Sequence, residues 1–314
     1  MQILHIGDQA GVACIFAKFQ RLRGDQSKVI GIVGDKYGIY EFYKDFIRKV
    51  GKETFLDTCL QEAEHADIIH VHGEISALFE IRKKFGISKK IILHYHGTDI
   101  RGLEGLQHKR DRPNFFSSIL AVMIRKLIGI RIDKKYLNFL AQKLADAVLV
   151  STPDLLKLVK NGILVPIPVD IDHFQPEKSP RNQTSSALTF NTEVSDINRA
   201  LAYCRENGIE LSIEVHDRTT NPIKYNDMPY FMKKYRVYVD IRYIKELLLE
   251  NLSSTALQSL ACGLRVLDYK LAFLDRFPNE HDPRVLVSCL SDIYLRKRNF
   301  RLYIWSFLFR LKKN

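Results

Sequence analysis

The sequence predicts an α/β protein of two domains, each a parallel sheet covered by helices. Three observations carry that reading. Short β-branched runs alternate with helical patterns along most of the chain, the order that parallel strands with crossover helices require. A proline-punctuated stretch, Leu164-Val-Pro-Ile-Pro-Val-Asp-Ile-Asp-His-Phe-Gln-Pro176, cannot continue a helix and separates two such regions. With 314 residues and 46% hydrophobic content, the chain is long enough for two cores and too apolar for disorder.

Gln2 to Ile6 reads as the first strand, Gly7-Asp-Gln-Ala-Gly11 as a turn and Val12 to Arg23 as a helix with core spacing. This is the opening βα unit of a Rossmann-like domain, although two glycines do not make a dinucleotide fingerprint. Strands follow at Val29 to Val33, Asp67 to Val71, Ile91 to Tyr95 and Ala147 to Ser151. Helices are expected at 41–50, 53–65, 75–85 and 134–145. The first domain is placed at 1–165, an interdomain link at 166–184 and a second Rossmann-like domain at 185–292. A basic, aromatic helix at 293–314 ends the chain, packed back on the first domain or facing a membrane.

The densest chemistry lies at 236–269. Arg236 to Ile241 alternates as a strand, Ser253, Ser254 and Thr255 are helix-capping types, and Ala256 to Cys262 are good helix formers stopped by Gly263. A loop leading from a strand to a helix N-terminus presents free amides and the positive end of a dipole, which suits a phosphate or diphosphate. Arg242 and Lys245 add cations there. Thr255-x-x-Gln258 also fits a capping box, which needs no ligand.

Thr255-Ala-Leu-Gln-Ser-Leu-Ala-Cys-Gly-Leu-Arg-Val-Leu267, His94-Tyr-His96-Gly-Thr-Asp99-Ile-Arg101, the Gly11 turn and the Pro-Val-Asp link together resemble the GT-B glycosyltransferases of family 4 type (glycosyl transferases group 1), in a small, archaeal-type form. The resemblance implies two Rossmann-like domains with parallel sheets facing a central cleft. It implies transfer of a hexosyl group from a nucleotide-sugar donor to an acceptor hydroxyl, with retained configuration. No metal and no cofactor is implied, the nucleotide sugar being a substrate. It makes His96 and Glu250 the catalytic pair that orients the sugar. Gly11, Arg242, Lys245, Ser254, Thr255 and Gln258 fall on the donor, Gln258 where the family has a ribose-binding Glu. Asp99 and Arg101 fall on the acceptor side. The family's Arg and Lys on the donor diphosphate have no counterpart in Thr189-Phe-Asn-Thr-Glu-Val-Ser195, so Arg242, Lys245, Arg218 and Lys224 are the substitutes. His70, His72 and His94 are read as packing residues.

A net charge of +12 points to anionic partners. The expected ones are a nucleotide sugar and a glycan or lipid-linked acceptor, with an anionic membrane surface met by 113–132 and 293–314; nucleic acid is excluded because no binding module is recognisable. Five scattered cysteines without a CxxC pair argue for reduced thiols and a cytoplasmic chain, peripheral on the inner face of the cell membrane. Histidine spacings match no zinc motif. Two alternatives stay open: a GT-B-like scaffold that has lost its chemistry, and a nucleotide-sugar epimerase.

Overall fold

Residues 1–97, 99–101, 134–177, 184–192, 195–244 and 246–296 are described by the computed structural model. They fall into two compact units, one of Met1–Val33, Lys44–Pro166 and the chain from Val287, the other of Gly34–Tyr43 and Ile167–Leu286. Segment 113–132 and residues 297–314, on which the membrane expectation falls, lie outside the described residues, as does Lys245. Among the described residues no helix is long and apolar enough to cross a membrane.

The first unit is a seven-stranded sheet, every neighbouring pair parallel. Its elements run β1 (Gln2–Ile6), α1 (Val12–Leu22), β2 (Gln26–Ile32), then, after a short α2 (Ile39–Phe42) that belongs to the other unit, β3 (Ile47–Val50), α3 (Phe55–Ala63), β4 (Ile68–His72), α4 (Ile75–Phe85), β5 (Lys90–Tyr95), α5 (Lys134–Leu144), β6 (Ala147–Val150) and β7 (Ile163–Leu164). The helix expected at 41–50 is corrected by the structure: Ile47–Val50 is an edge strand, because pairing of Ile47 with Val29 and Val50 with Ile32 gives its backbone a ladder that local propensity does not foresee.

Alternation along the strands sorts the two faces. Leu4, Ile6, Ile69, Val71, Leu93 and Tyr95 build one core with Phe55, Leu78, Ile81 and Ala141 of the covering helices. Each large side chain buried there stabilises the fold by about 1.5–3 kcal/mol. The opposite face carries His5, His70, His72 and His94, all buried, under Phe16 of α1. A buried ion pair of 2.6 Å joins Arg82 of α4 to Asp146, and Arg82 also donates to the carbonyls of Leu144, Gly86 and Lys89, so the guanidinium is satisfied on all sides.

The second unit holds a five-stranded sheet in the order β14-β13-β10-β8-β9, parallel except for β14. Its elements are β8 (Thr184–Asn191), α6 (Ile197–Glu206), β9 (Ile213–Asp217), α7 (Met228–Met232), β10 (Tyr235–Val239), a hairpin of β11 (Tyr243–Ile244) and β12 (Leu247–Leu248), α8 (Ser254–Ala261), β13 (Arg265–Leu267) and β14 (Phe273–Leu274). The chain then enters α9 (Pro283–Leu295), whose last turns are counted with the first unit. Residues 34–43, left in the first domain by the sequence reading, group with this unit for a local reason. The Tyr43 hydroxyl donates to Asp170 at 2.7 Å, and the Tyr43 ring lies against Tyr225. None of the five cysteines is in a disulfide, and Cys14, Cys59, Cys204 and Cys262 are buried.

Candidate functional site

In open parallel sheets the crevice for a ligand lies beyond the carboxyl ends of the strands, where the strand order reverses. In the first unit the reversal falls between β1 and β4. The turn after β1 brings Gly11 to φ +86°, a left-handed conformation suited to glycine, directly before α1. The amides there are not left for a ligand. The Asp8 carboxylate accepts from Gly11 N at 3.0 Å, Ala13 N at 2.7 Å and Cys14 N at 3.3 Å, so the start of α1 holds an anion of its own.

The loop after β5 carries His96, Asp99 and Arg101. Asp99 accepts from the amides of His96 and Gly97, at 2.9 and 2.8 Å, and shapes the turn. Gly97 sits at φ +144°, a backbone conformation that L side chains rarely adopt, and an added Cβ would also have to displace the Arg101 guanidinium. Arg101 forks onto Asp154, with Nε to carboxylate at 2.8 Å, and also reaches Thr152. Burial pulls the Asp154 carboxyl upward, and the Arg101 and Thr152 bonds outweigh it and hold it below its ordinary range. Both ring nitrogens of His96 are engaged, Nε2 with His72 at 2.9 Å and Nδ1 with Ser151 at 2.7 Å. Burial holds His96 down to about 4, against an upward pull from Asp99, so the imidazole is neutral.

In the second unit the order reverses between β8 and β10, and α8 follows β10. Ser253 is the N-cap: its hydroxyl accepts from Ala256 N at 2.9 Å. The capping box on Thr255 is therefore not formed, because the helix begins two residues earlier; among the described residues the buried Gln258 side chain reaches the Ser254 hydroxyl, at 3.5 Å. The buried Asp240 accepts from Ser253 N at 2.8 Å. Arg242 approaches Asp240 to 3.0 Å, an ion contact without hydrogen-bond alignment, and donates to Asn251. Burial raises the Asp240 carboxyl, with Arg242 and Ser253 opposing. Among the described residues nothing accepts from the amides of Ser254 and Thr255. α8 thus starts with two open donors and a guanidinium alongside. Glu250 is exposed, on the loop after β12.

Arg218, just past β9, packs 4.4 Å over Tyr37 and 5.2 Å over Phe190, and among the described residues nothing accepts from its buried Nε. Burial lowers its proton affinity. Lys224 instead donates to the Lys36 carbonyl. In the first unit the structure brings together His96, Asp99 and Arg101. In the second it brings together Arg242, Ser254, Thr255 and Gln258. Sequence reasoning did not single out Asp8, Asp240, Ser151 or Asp154. A carboxylate three residues before the Gly11 cap was the one local signal available, and the other three act through strands distant in the chain. A pocket of about 610 Å³ lined by Gln2, Gln26, Lys28 and Glu62 lies at the amino-terminal ends of β1 and β2, the edge opposite these groups.

No family model matches the chain, and no curated protein matches it. Solved structures do. An α-glucosyltransferase in complex with UDP is 12% identical over 98% of this chain and 93% of that one, at a TM-score of 0.53. An α-glucosyltransferase with UDP and a 13-mer DNA containing a central A:G mismatch is 12% identical over 98% and 95%, at 0.52. Another, with UDP-glucose and DNA containing an abasic site, is 13% identical over 98% and 93%, also at 0.52. These complexes correct the expectation that excludes nucleic acid: enzymes of this fold are seen holding DNA, so a missing binding module in the sequence excludes nothing, and a charge of +12 suits a polyanion as well as a diphosphate. The two parallel sheets and this likeness give the chain the GT-B glycosyltransferase fold.

Proposed function

We propose that the protein moves a hexosyl group from a nucleotide-sugar donor to an acceptor hydroxyl, as a family 4-like transferase, with retained configuration and without a metal. The observation that carries this is the start of α8: two open amides at the switch point of the second sheet, with Arg242 alongside. Loss of a nucleoside diphosphate builds negative charge, and fixed amides with a guanidinium stabilise it without reorganising. In this reading Ser254 and Thr255 hold the diphosphate, Gln258 a ribose hydroxyl and Glu250 the sugar. In the first unit Gly11 lies on the donor side and His96 meets the transferred sugar with its ring edge, both its nitrogens being engaged by His72 and Ser151, while Asp99 and Arg101 serve the acceptor. The UDP held by the similar α-glucosyltransferases supports a nucleotide donor, and their DNA makes duplex DNA one acceptor to include.

The test is thermal unfolding of the full chain against UDP, GDP, ADP and their sugars, followed by release of nucleoside diphosphate with hydroxyl acceptors including duplex DNA. A specific donor raises the midpoint by mass action and is consumed. No shift with any nucleotide and no release from any sugar donor would refute the reading.

A further inference from the structure

On the imidazole face of the first sheet, side chains close a ring of hydrogen bonds. Gln20 Nε2 meets the Tyr294 hydroxyl at 3.3 Å, which meets His70 Nδ1 at 2.7 Å. His70 Nε2 meets His94 Nδ1 at 3.2 Å, and His94 Nε2 meets Ser151 Oγ at 3.0 Å. Ser151 Oγ meets His96 Nδ1 at 2.7 Å, and His96 Nε2 meets His72 Nδ1 at 2.9 Å. His72 Nε2 meets His5 Nδ1 at 2.9 Å, and His5 Nε2 returns to Gln20 Oε1 at 2.8 Å. The register makes this closure: His5 pairs with His70, and His72 with His94, across adjacent strands.

The protons can be counted. A neutral imidazole has one donor and one acceptor, a hydroxyl can do both, and the Gln20 amide donates from nitrogen and accepts on oxygen. Gln20 Oε1 also accepts from Ser27, at 2.7 Å. Starting from that oxygen, His5 donates through Nε2, so its Nδ1 must accept from His72 Nε2, and each bond fixes the next around to Tyr294. Every member is satisfied, with all five imidazoles neutral and protonated on Nε2. An extra proton on Nδ1 of His5, His72 or His94 would set two donors face to face, and one on Nδ1 of His70 or His96 would force the Tyr294 or Ser151 hydroxyl to turn its hydrogen out of the ring. Burial acts in the same sense, holding His5 and His96 down to about 4 and His70, His72 and His94 well below the ordinary imidazole range.

We propose that Gln20, Tyr294 and Ser151 are positioning residues, which through this one-way ring hold His96 neutral with its proton on Nε2. Tyr294 lies on α9, and Lys90 at the start of β5 donates to the carbonyls of Tyr294 and Arg296, so the far side of the ring is anchored as firmly as the near side. The consequence for turnover rests on the reading of His96 given above; the ring itself does not. Two triplets, His5-His70-His72 and His72-His94-His96, have ligand atoms within 4.8 Å of one another, a spacing a cation can use. In the ring every imidazole lone pair already accepts a hydrogen, so a cation has to break it.

The experiment is long-range ¹H–¹⁵N NMR of the full chain labelled with ¹⁵N-histidine, near neutral pH, alongside donor turnover. All five imidazoles are expected to show a protonated Nε2 and a bare Nδ1. Ser151→Ala should displace the His96 signals and lower kcat about tenfold with KM unchanged. Ser151→Thr, which keeps the hydroxyl, should preserve both. A proton on Nδ1 in any of the five, an imidazolium among them, or stoichiometric zinc uptake that replaces the pattern overturns the proposal. Unaltered turnover in Ser151→Ala overturns the positioning role and leaves the transferase reading standing. Absence of turnover in the unmodified chain overturns that reading, and the tautomer pattern still judges the ring.

Discussion

The two parallel sheets end in opposite electrostatic states. At the carboxyl ends of the first, polar groups are spent on one another: Asp8 fills the start of α1, Arg101 is forked onto Asp154, and His96 is locked between Ser151 and His72. At the second, Ser253 and Asp240 satisfy part of the start of α8, and the Ser254 and Thr255 amides and the Arg218 Nε stay open. The same βα architecture can therefore be a finished structural end or a receptive one. The side chain in the loop decides which, and the helix dipole alone does not.

The largest effect that separates the two is acid sensitivity. Below pH 6.5 an unfolded chain takes up protons that the folded imidazoles of the first sheet refuse. Stability is therefore fully present above that pH and is lost as pH falls toward 4. A shift of that size costs roughly 3 kcal/mol for each of His5 and His96, and His70, His72 and His94 add to it in the same direction. Urea midpoints measured from pH 7 downward should drop steeply, with more than one proton bound on unfolding; a flat profile would show that the ring is not neutral at the outset.

Next comes Asp8→Ala, which strips the carboxylate from three amides and should cost about 2 kcal/mol by urea unfolding. It also sharpens the contrast, since the emptied start of α1 should add stabilisation by inorganic phosphate to whatever the start of α8 gives the unmodified chain. Arg242→Ala should weaken nucleoside diphosphate binding about tenfold in calorimetry and also lower Tm, because it leaves the buried Asp240 carboxylate without its cation. Equal binding by this variant would move the anion site away from α8. The smallest effect is Ser253→Ala, about 1 kcal/mol of stability from the lost cap; a neutral result would assign the capping of α8 to Asp240 instead.

Several features were legible in the residues. Alternation along β1, β4 and β5, the turn at Gly11 and a helix start within Ser253 to Thr255 depend on neighbours close in the chain, and periodicity reports those directly. The histidines of β4 and β5 were read as packing residues, and they are buried; their linear spacing hid that they join. Strand β3 was read as helix for the same reason, since only the partner strand supplies its hydrogen bonds.

By itself, the sequence determined the class of fold, most of the strands and helices of the first unit with β3 excepted, and the basic character that points to an anionic ligand, because those follow from local propensity, hydrophobic period and composition. Tertiary structure alone decided that Asp8 and Asp240 serve two helix starts differently, and that Gln20, Ser151 and Tyr294 join five imidazoles into one circuit. Those outcomes are set by strand register and by which side chain reaches a buried donor first, and distance along the chain carries no information about either.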